Sequence, residues 1–201
     1  MPSPRAFNWM TDELEAPQLK EPRSLLDLVN YQMHLIQSFS ASSVTRMCEG
    51  EFGITRREWR FIALLAAVGP MAPSDLALQS SLDRSRTSKA LMPLLAKGLI
   101  ERRSHAGDRR RATVSLTQPG RALYDRLFPR VVEVNAALLG TLSDEDIATL
   151  ARLLTALKRR AVEIVDSKLV AAIADRRHGG SLRRWEGRVN PAGGSGRTGA
   201  D

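Results

Sequence analysis

Residues 73–116 read PSDLALQSSLDRSRTSKALMPLLAKGLIERRSHAGDRRRATVSL. The order of signals in this stretch decides the fold. Pro73 suits a first helical position, where its missing N–H costs nothing. Asp75 in the first turn favours the helix dipole. A short helix is therefore expected over 73–80, with a brief turn at Ser81 and Leu82. Asp83 then caps a second helix over about 84–97, which Gly98 ends. After Gly98 the period changes from helical to alternating. Residues 99–103 and 112–116 read as two strands, and 104–111, with Gly107, as a basic hairpin tip too long for a two-residue turn.

Short helix, tight turn, second helix and hairpin, in that order, make a winged helix-turn-helix. The second helix of such a unit enters the major groove with its N-terminal residues toward base edges. Here these are Arg84, Ser85, Arg86, Thr87, Ser88 and Lys89, a mix of hydroxyls and cations suited to phosphates, guanine edges and thymine methyls. Arg84, Ser88 and Ser81 are the phosphate-anchoring candidates, and Ser85, Arg86 and Lys89 the base-reading ones. At the hairpin tip, an arginine among Arg109, Arg110 and Arg111 can enter a narrow minor groove. Asp108 two positions before Arg110 can orient that guanidinium. Taken alone, either segment would pass for a solvated charged face; their coupling favours nucleic acid.

Charge agrees. The net charge is +8, and residues 84–111 hold nine Lys/Arg against two acids. Residues 176–201 hold six Arg against two acids, which leaves the rest of the chain slightly acidic. Basic character confined to one internal segment and one tail points to a polyanionic partner, double-stranded DNA above all.

Outward from the centre, the chain reads as helices. Aromatics make up 5%, so Leu, Ala and Val must fill the core. Residues 24–49, with Ser24 as N-cap, place Leu26, Val29, Met33, Ile36, Val44 and Cys48 on one face. Thr55 and Glu58 form a capping box for a helix over 56–68, stopped by Gly69-Pro70. Residues 120–139 carry a stripe from Leu123 to Leu138, with Pro129 expected to kink it. Ser143 and Asp146 start a last helix whose stripe runs through Leu150, Leu154, Leu157, Ala161 and Ile164 to about 174. The fold class expected is mainly α with a small β-hairpin wing, a winged helix-turn-helix flanked by long helices. The organisation expected is an N-terminal extension, partly disordered, over 1–22; a helical region over 23–50 and 120–175; the DNA-binding domain over 51–119; and a basic disordered tail over 176–201.

From Phe52 to Leu127 the chain resembles the MarR family. The matching text is FGITRREWRFIALLAAVGPMAPSDLA, then LDRSRTSKALMPLLAKGLIERR, then GDRRRATVSLTQPGRALYDRL. The resemblance implies a homodimer reading a pseudo-palindrome, with the long helices of 23–50 and 120–175 as dimerisation helices, Asp108 and Arg110 as the wing pair, and release from DNA by a ligand or oxidant. One departure is Pro93 inside the second helix, whose ring opposes the Lys89 carbonyl and predicts a kink or local opening. The family's ligands, often aromatic and acidic, sit between the two lobes. Tyr31, His34, Trp59 and Arg60 are the candidates to line such a site, with Arg60 as the anion partner; a core Trp59 and a surface Arg60 are the plainer alternative. The urate-sensing branch has an acid after this tryptophan where this chain has Arg60, which argues against urate.

Cys48, the one cysteine, continues the Val44 stripe, so a buried inert thiol is favoured over a redox sensor. The same count excludes an intrachain disulfide framework and fits a reducing, cytoplasmic compartment. No apolar run approaches the roughly 18 residues of a membrane span, and the acidic start MPSPRAFNWMTDELEAPQ lacks a secretory core. His34, His105 and His178 are scattered with no partner at metal or triad spacing, so neither enzyme, cofactor nor metal site is expected. Two functions remain: a regulator, expected to be a ligand-released repressor, and an architectural protein that binds nucleic acid nonspecifically through the winged helix and basic tail.

Overall fold

The computed structural model describes residues 16–80, 84–105, 108–167 and 169. A single 3-10 turn at Leu25–Asp27 precedes α1 (Val29–Glu51), α2 (Arg56–Val68), α3 (Pro73–Gln79) and α4 (Arg84–Ala96). A hairpin of β1 (Ile100–His105) and β2 (Asp108–Leu116) follows, then α5 (Gln118–Leu139) and α6 (Asp144–Asp166). This is the mainly helical winged helix-turn-helix that the sequence predicts.

Local chemistry sets the element ends. Thr55 accepts from the Glu58 amide while the Glu58 carboxylate accepts from the Thr55 amide, closing the expected capping box on α2. Ser143 and Asp146 do the same for α6. Gly69 follows α2 with φ 93°, a conformation that costs a side chain dearly. Ser24 departs from expectation: its box with Asp27 caps the 3-10 turn, and α1 begins afresh after an extended Leu28. The stripe on α6 also stops sooner than expected, at Asp166 with Ser167 as C-cap. The predicted cap Asp83 and the tail from 176 lie outside the described residues.

The hairpin is longer than the alternation suggested. Pairing runs from Ile100↔Leu116 to Ser104↔Ala112, then jumps to His105↔Asp108. The stretch 104–111, expected as a long tip, is thus mostly strand, and a bulge takes up Arg109, Arg110 and Arg111. A sequence pattern of consecutive cations hides such pairing, because it lacks alternation. Met71 adds a bridge to Val114, each amide donating to the other's carbonyl at 3.1 and 2.9 Å, so the wing is anchored to the α2–α3 connection.

At the other side of the wing, Thr117 caps α5 by accepting from the Gly120 amide, and its hydroxyl donates to the Gly98 carbonyl at 2.6 Å. Gly120 sits so close to the strand start that a Cβ there would lie 1.9 Å from the Leu99 carbonyl oxygen. The Thr-Gln-Pro-Gly run is therefore a junction where recognition helix, wing and α5 meet.

The core lies inside this unit. Phe61, Ile62 and Leu65 of α2, Leu76 of α3, Leu94 of α4, Val114 of β2 and Leu127 of α5 are buried together. By contrast, Leu26, Val29, Met33 and Ile36 near the start of the chain's first helical segment are exposed, as are Leu153, Leu154, Leu157 and Ile164 of α6.

Lys97, just past α4, donates to both Glu58 carboxylate oxygens at 3.0 and 3.2 Å and to the Gly53 carbonyl at 2.8 Å. Glu58 is 4% exposed. Burial alone would raise its pKa, but the Thr55 amide and the Lys97 ammonium outweigh it and hold the carboxyl below its usual 4.5. A depressed carboxylate pKa contributes stability above its unfolded-state value and loses it as pH falls through the folded one. We predict that Glu58→Gln lowers stability at pH 7 by about 1–2 kcal/mol. Denaturant titration should show that deficit shrinking below pH 4.5; a deficit independent of pH would assign the loss to packing instead.

Candidate nucleic-acid interface and adjoining cavity

Helix α4 presents two unlike faces. Thr87, Leu91 and Leu94 are 1%, 5% and 0% exposed and lie one turn apart, forming its core stripe. Thr87 was expected on the groove face; it is instead turned into the core, where its size and methyl suit packing. Its hydroxyl has no hydrogen-bond partner among the described residues. Ser88 and Lys89 are exposed, as is Met92 at 62%. The helix runs on through Pro93 without interruption of its assignment, and the Pro93 carbonyl still accepts from the Lys97 amide at 2.9 Å. Arg84, Ser85 and Arg86 belong to the first turn of α4, but their side chains lie outside the described residues.

The wing lies beside α4. Arg102 of β1, not singled out in the sequence, is exposed and shares a cleft of about 210 Å³ with Ser74 of α3 and Ser88 of α4. The cleft is floored by Leu91, Met92, Leu95 and Val114 and brings Arg102, Ser74 and Ser88 together at the junction of helix and wing. The neighbouring Arg103 pairs with Glu101 at 2.9 Å. Asp108, Arg109 and Arg110 are on β2 by backbone, with side chains outside the described residues. The cue that could have found Arg102 was strand register: it pairs with the buried Val114.

A larger cavity of about 590 Å³ opens between α1, α2 and α5. Trp59 and Arg60 line it, as the sequence reading expected; Tyr31 and His34 do not. Those two are near one another on the first turns of α1, ring centroids 6.2 Å apart, and His34 contacts Ser38. They belong to the helix end that the core leaves uncovered. Their place is taken by Tyr124 and Phe128 from α5 and Arg56 from α2. Both missed pairs follow helical spacing: Arg56 is four residues before Arg60, and Tyr124 four before Phe128.

The aromatic wall is ordered. Trp59 stacks on Tyr124 at 5.7 Å and 17°, and Tyr124 on Phe128 at 5.1 Å and 16°. The Arg121 guanidinium lies 5.5 Å from the Tyr124 centroid. Facing this wall, Arg60 has no carboxylate within ion-pair distance among the described residues. Its Nη1 donates to the Ser80 carbonyl at 3.5 Å. Partial burial lowers its pKa, and repulsion from Arg56 and Arg57 adds to that. An apolar, aromatic cavity with unneutralised cations at its edge is suited to a flat anion.

Cys48 is fully buried, and desolvation pushes its thiol up to about 11. The thiolate needed for peroxide chemistry is then scarce at neutral pH, which weighs against the sensor alternative. Iodoacetamide at pH 7.5 should leave native protein unlabelled while modifying Cys48 fully in denaturant; rapid native labelling would reinstate a reactive thiol.

Comparison with known proteins gives a consistent picture. A profile described as MarR family matches residues 52–111. The HTH-type transcriptional regulator FarR of Neisseria gonorrhoeae is 34% identical over 106 residues, 53% of this chain and 73% of that protein. The homoprotocatechuate degradative operon repressor of Escherichia coli is 28% identical over 115 residues, 57% of this chain and 78% of the repressor. Among solved structures, NadR in complex with 4-hydroxyphenylacetate superposes with a TM-score of 0.58 at 28% identity, covering 68% of this chain and 96% of NadR. A MarR family transcriptional regulator from Silicibacter pomeroyi gives 0.63 at 22% identity, covering 72% and 96%, and so shares the fold. No described helix is long and apolar enough to cross a membrane.

Proposed function

This chain belongs to the MarR family of winged helix-turn-helix transcriptional regulators, and from that premise we propose that it is a homodimeric, cytoplasmic repressor of a pseudo-palindromic operator, released by an aromatic carboxylate. The observation that carries the reading is the pairing of one outward face on α4 with a cationic wing, next to a cavity edged by arginines that have no carboxylate partner among the described residues. Burial of Thr87, Leu91 and Leu94 fixes the inward side of α4. Helical spacing then puts positions 85, 89 and 92 on the opposite side, with 86 and 88 flanking. Ser85, Arg86 and Lys89 are the proposed base readers, and Arg84, Ser88 and Arg102 the proposed phosphate contacts. Asp108, Arg109 and Arg110 form the proposed minor-groove element.

The dimer is supported by apolar surface that the chain does not cover. Leu26, Val29, Met33 and Ile36 at one end, with Leu153, Leu154, Leu157 and Ile164 of α6, are exposed large apolar side chains of the kind that mark a protein–protein surface. The proposed dimerisation region is accordingly 23–50 with 120–175. The effector class is supported by the aromatic wall and by Arg56 and Arg60, and by the 4-hydroxyphenylacetate bound by NadR. Tyr31 and His34 are outside the cavity of a single chain and are assigned to the dimer region instead.

Selection against randomised duplex DNA at about 0.15 M salt, a concentration at which nonspecific contacts are already screened, tests the reading. It should enrich a palindrome with half-sites about one helical turn apart. Uniform binding that collapses as salt rises would favour an architectural protein. On the selected duplex, Arg110→Ala should weaken binding by about 1–3 kcal/mol without changing the sedimentation of the dimer. Unaltered affinity would remove Arg110 from the wing contact.

A further inference from the structure

The cavity and the helix-turn-helix share one side chain. Arg60 edges the cavity beside Arg56 and Trp59, yet its Nη1 points at the Ser80 carbonyl. Ser80 is the C-cap of α3 and is 2% exposed, with its own amide spent on α3 carbonyls and its hydroxyl on Ala77. Its carbonyl stands at the end of α3, four residues before Arg84 opens α4. Carbonyls at a helix C-terminus lack intrahelical donors and carry partial negative charge. Among the described residues, Arg60 is the side chain from outside α3 that supplies such a donor there.

We propose that Arg60 is the positioning residue through which occupancy of the cavity reaches the recognition helix: empty, its guanidinium caps the α3 end at Ser80; occupied by a carboxylate, it turns to the anion and releases the α3 end that packs against α4. The proposal rests on reading the cavity as the effector site. Two features give it direction. The contact to Ser80 is long, 3.5 Å, and made to a neutral acceptor, at the limit of a hydrogen bond. A carboxylate offers charge-assisted bonds of about 2.7–2.9 Å to the same planar fork. Arg56 and Arg57 repel Arg60 and are relieved by the same anion. The exchange therefore favours the ligand, while the cost falls on the C-terminal end of α3, which packs against α4. Trp59 and Tyr124 stack in the same wall and hold the ring of the ligand against this cation.

The test separates binding from coupling, with 4-hydroxyphenylacetate as probe and full-length protein on its selected duplex. Calorimetry measures ligand binding; DNA affinity is measured with and without saturating ligand. In the wild type, saturation should lower DNA affinity roughly tenfold or more. Arg60→Met should still bind the probe through Arg56 and the aromatic wall, more weakly, but its DNA affinity should start several-fold low and not respond to ligand. A variant that binds probe and still releases DNA by the wild-type factor would overturn the coupling while leaving the effector cavity standing. No heat of binding to the wild type at millimolar probe would overturn the cavity reading and the coupling with it. Hydrogen exchange on the wild type decides the matter if Arg60→Met does not fold. Probe at saturation should speed exchange of amides around Ser80 selectively, and unchanged protection there would overturn the proposal.

Discussion

The contact on which the recognition helix depends for its placement is the Lys97 ammonium between Glu58 and the Gly53 carbonyl. Lys97 follows the last turn of α4; Glu58 is the capping residue at the first turn of α2. One buried carboxylate therefore satisfies an orphan amide of its own helix and fixes the far end of another. Its remaining lone pairs are taken by the same ammonium, so its desolvation is offset on both oxygens. Slackening this knot would cost twice: α2 would lose its cap, and α4 would lose the anchor that sets its tilt.

The other end of the unit is fixed by backbone geometry. Gly98 turns the chain with φ 64°, and its carbonyl accepts from the Thr117 hydroxyl. Thr117 in turn holds the first turn of α5, and Gly120 lets that turn rest on the Leu99 carbonyl. Recognition helix, wing and α5 thus share one joint at Gly98, Leu99, Thr117 and Gly120. Arginines along α5 extend the joint to the first helical segments: Arg121 reaches the Ala66 carbonyl, Arg126 lies over Phe52, and Arg130 pairs with Glu51 at 2.9 Å. The exposed members of this row contribute little individually. Their value is orientation, since each bridges the helices that wall the cavity.

How much of this was legible in the sequence follows from the range of each interaction. Capping boxes are local, and Thr55/Glu58 and Ser143/Asp146 formed where their spacing said. Ser24 carried the same signal, yet it capped only a single turn, because Leu28 breaks the helix before tertiary packing begins. Strand pairing is not local, so the run of arginines at 109–111 concealed a bulge behind a pattern without alternation. The facing of α4 was ambiguous for a similar reason. Ser and Thr in succession look alike to a periodicity argument, and burial alone distinguishes Thr87 from Ser88. At the cavity, Trp59 and Arg60 were legible as an apolar–cationic neighbour pair. Tyr124 and Phe128 were not, because a fold was needed to bring α5 against α2.

The position of that cavity has a mechanical consequence. Its walls come from α1 and α5, which carry the uncovered apolar surface, and from α2, whose Leu65 and Phe61 enter the DNA-binding core. Any molecule that wedges between Trp59 and Val44 would press α2 away from α1, and α2 is tied at its first turn to Lys97 at the end of α4. Two contacts link α2 to the elements around the recognition helix, the Glu58–Lys97 pin and the Arg60–Ser80 contact. They differ in stiffness. The first is a pair of short bonds to a buried carboxylate and moves as a body; the second is a single long bond that can open alone. The pin thus holds the far end of α4 to the first turn of α2, while the Arg60–Ser80 contact is the one of the two that can be exchanged with the rest of the core in place.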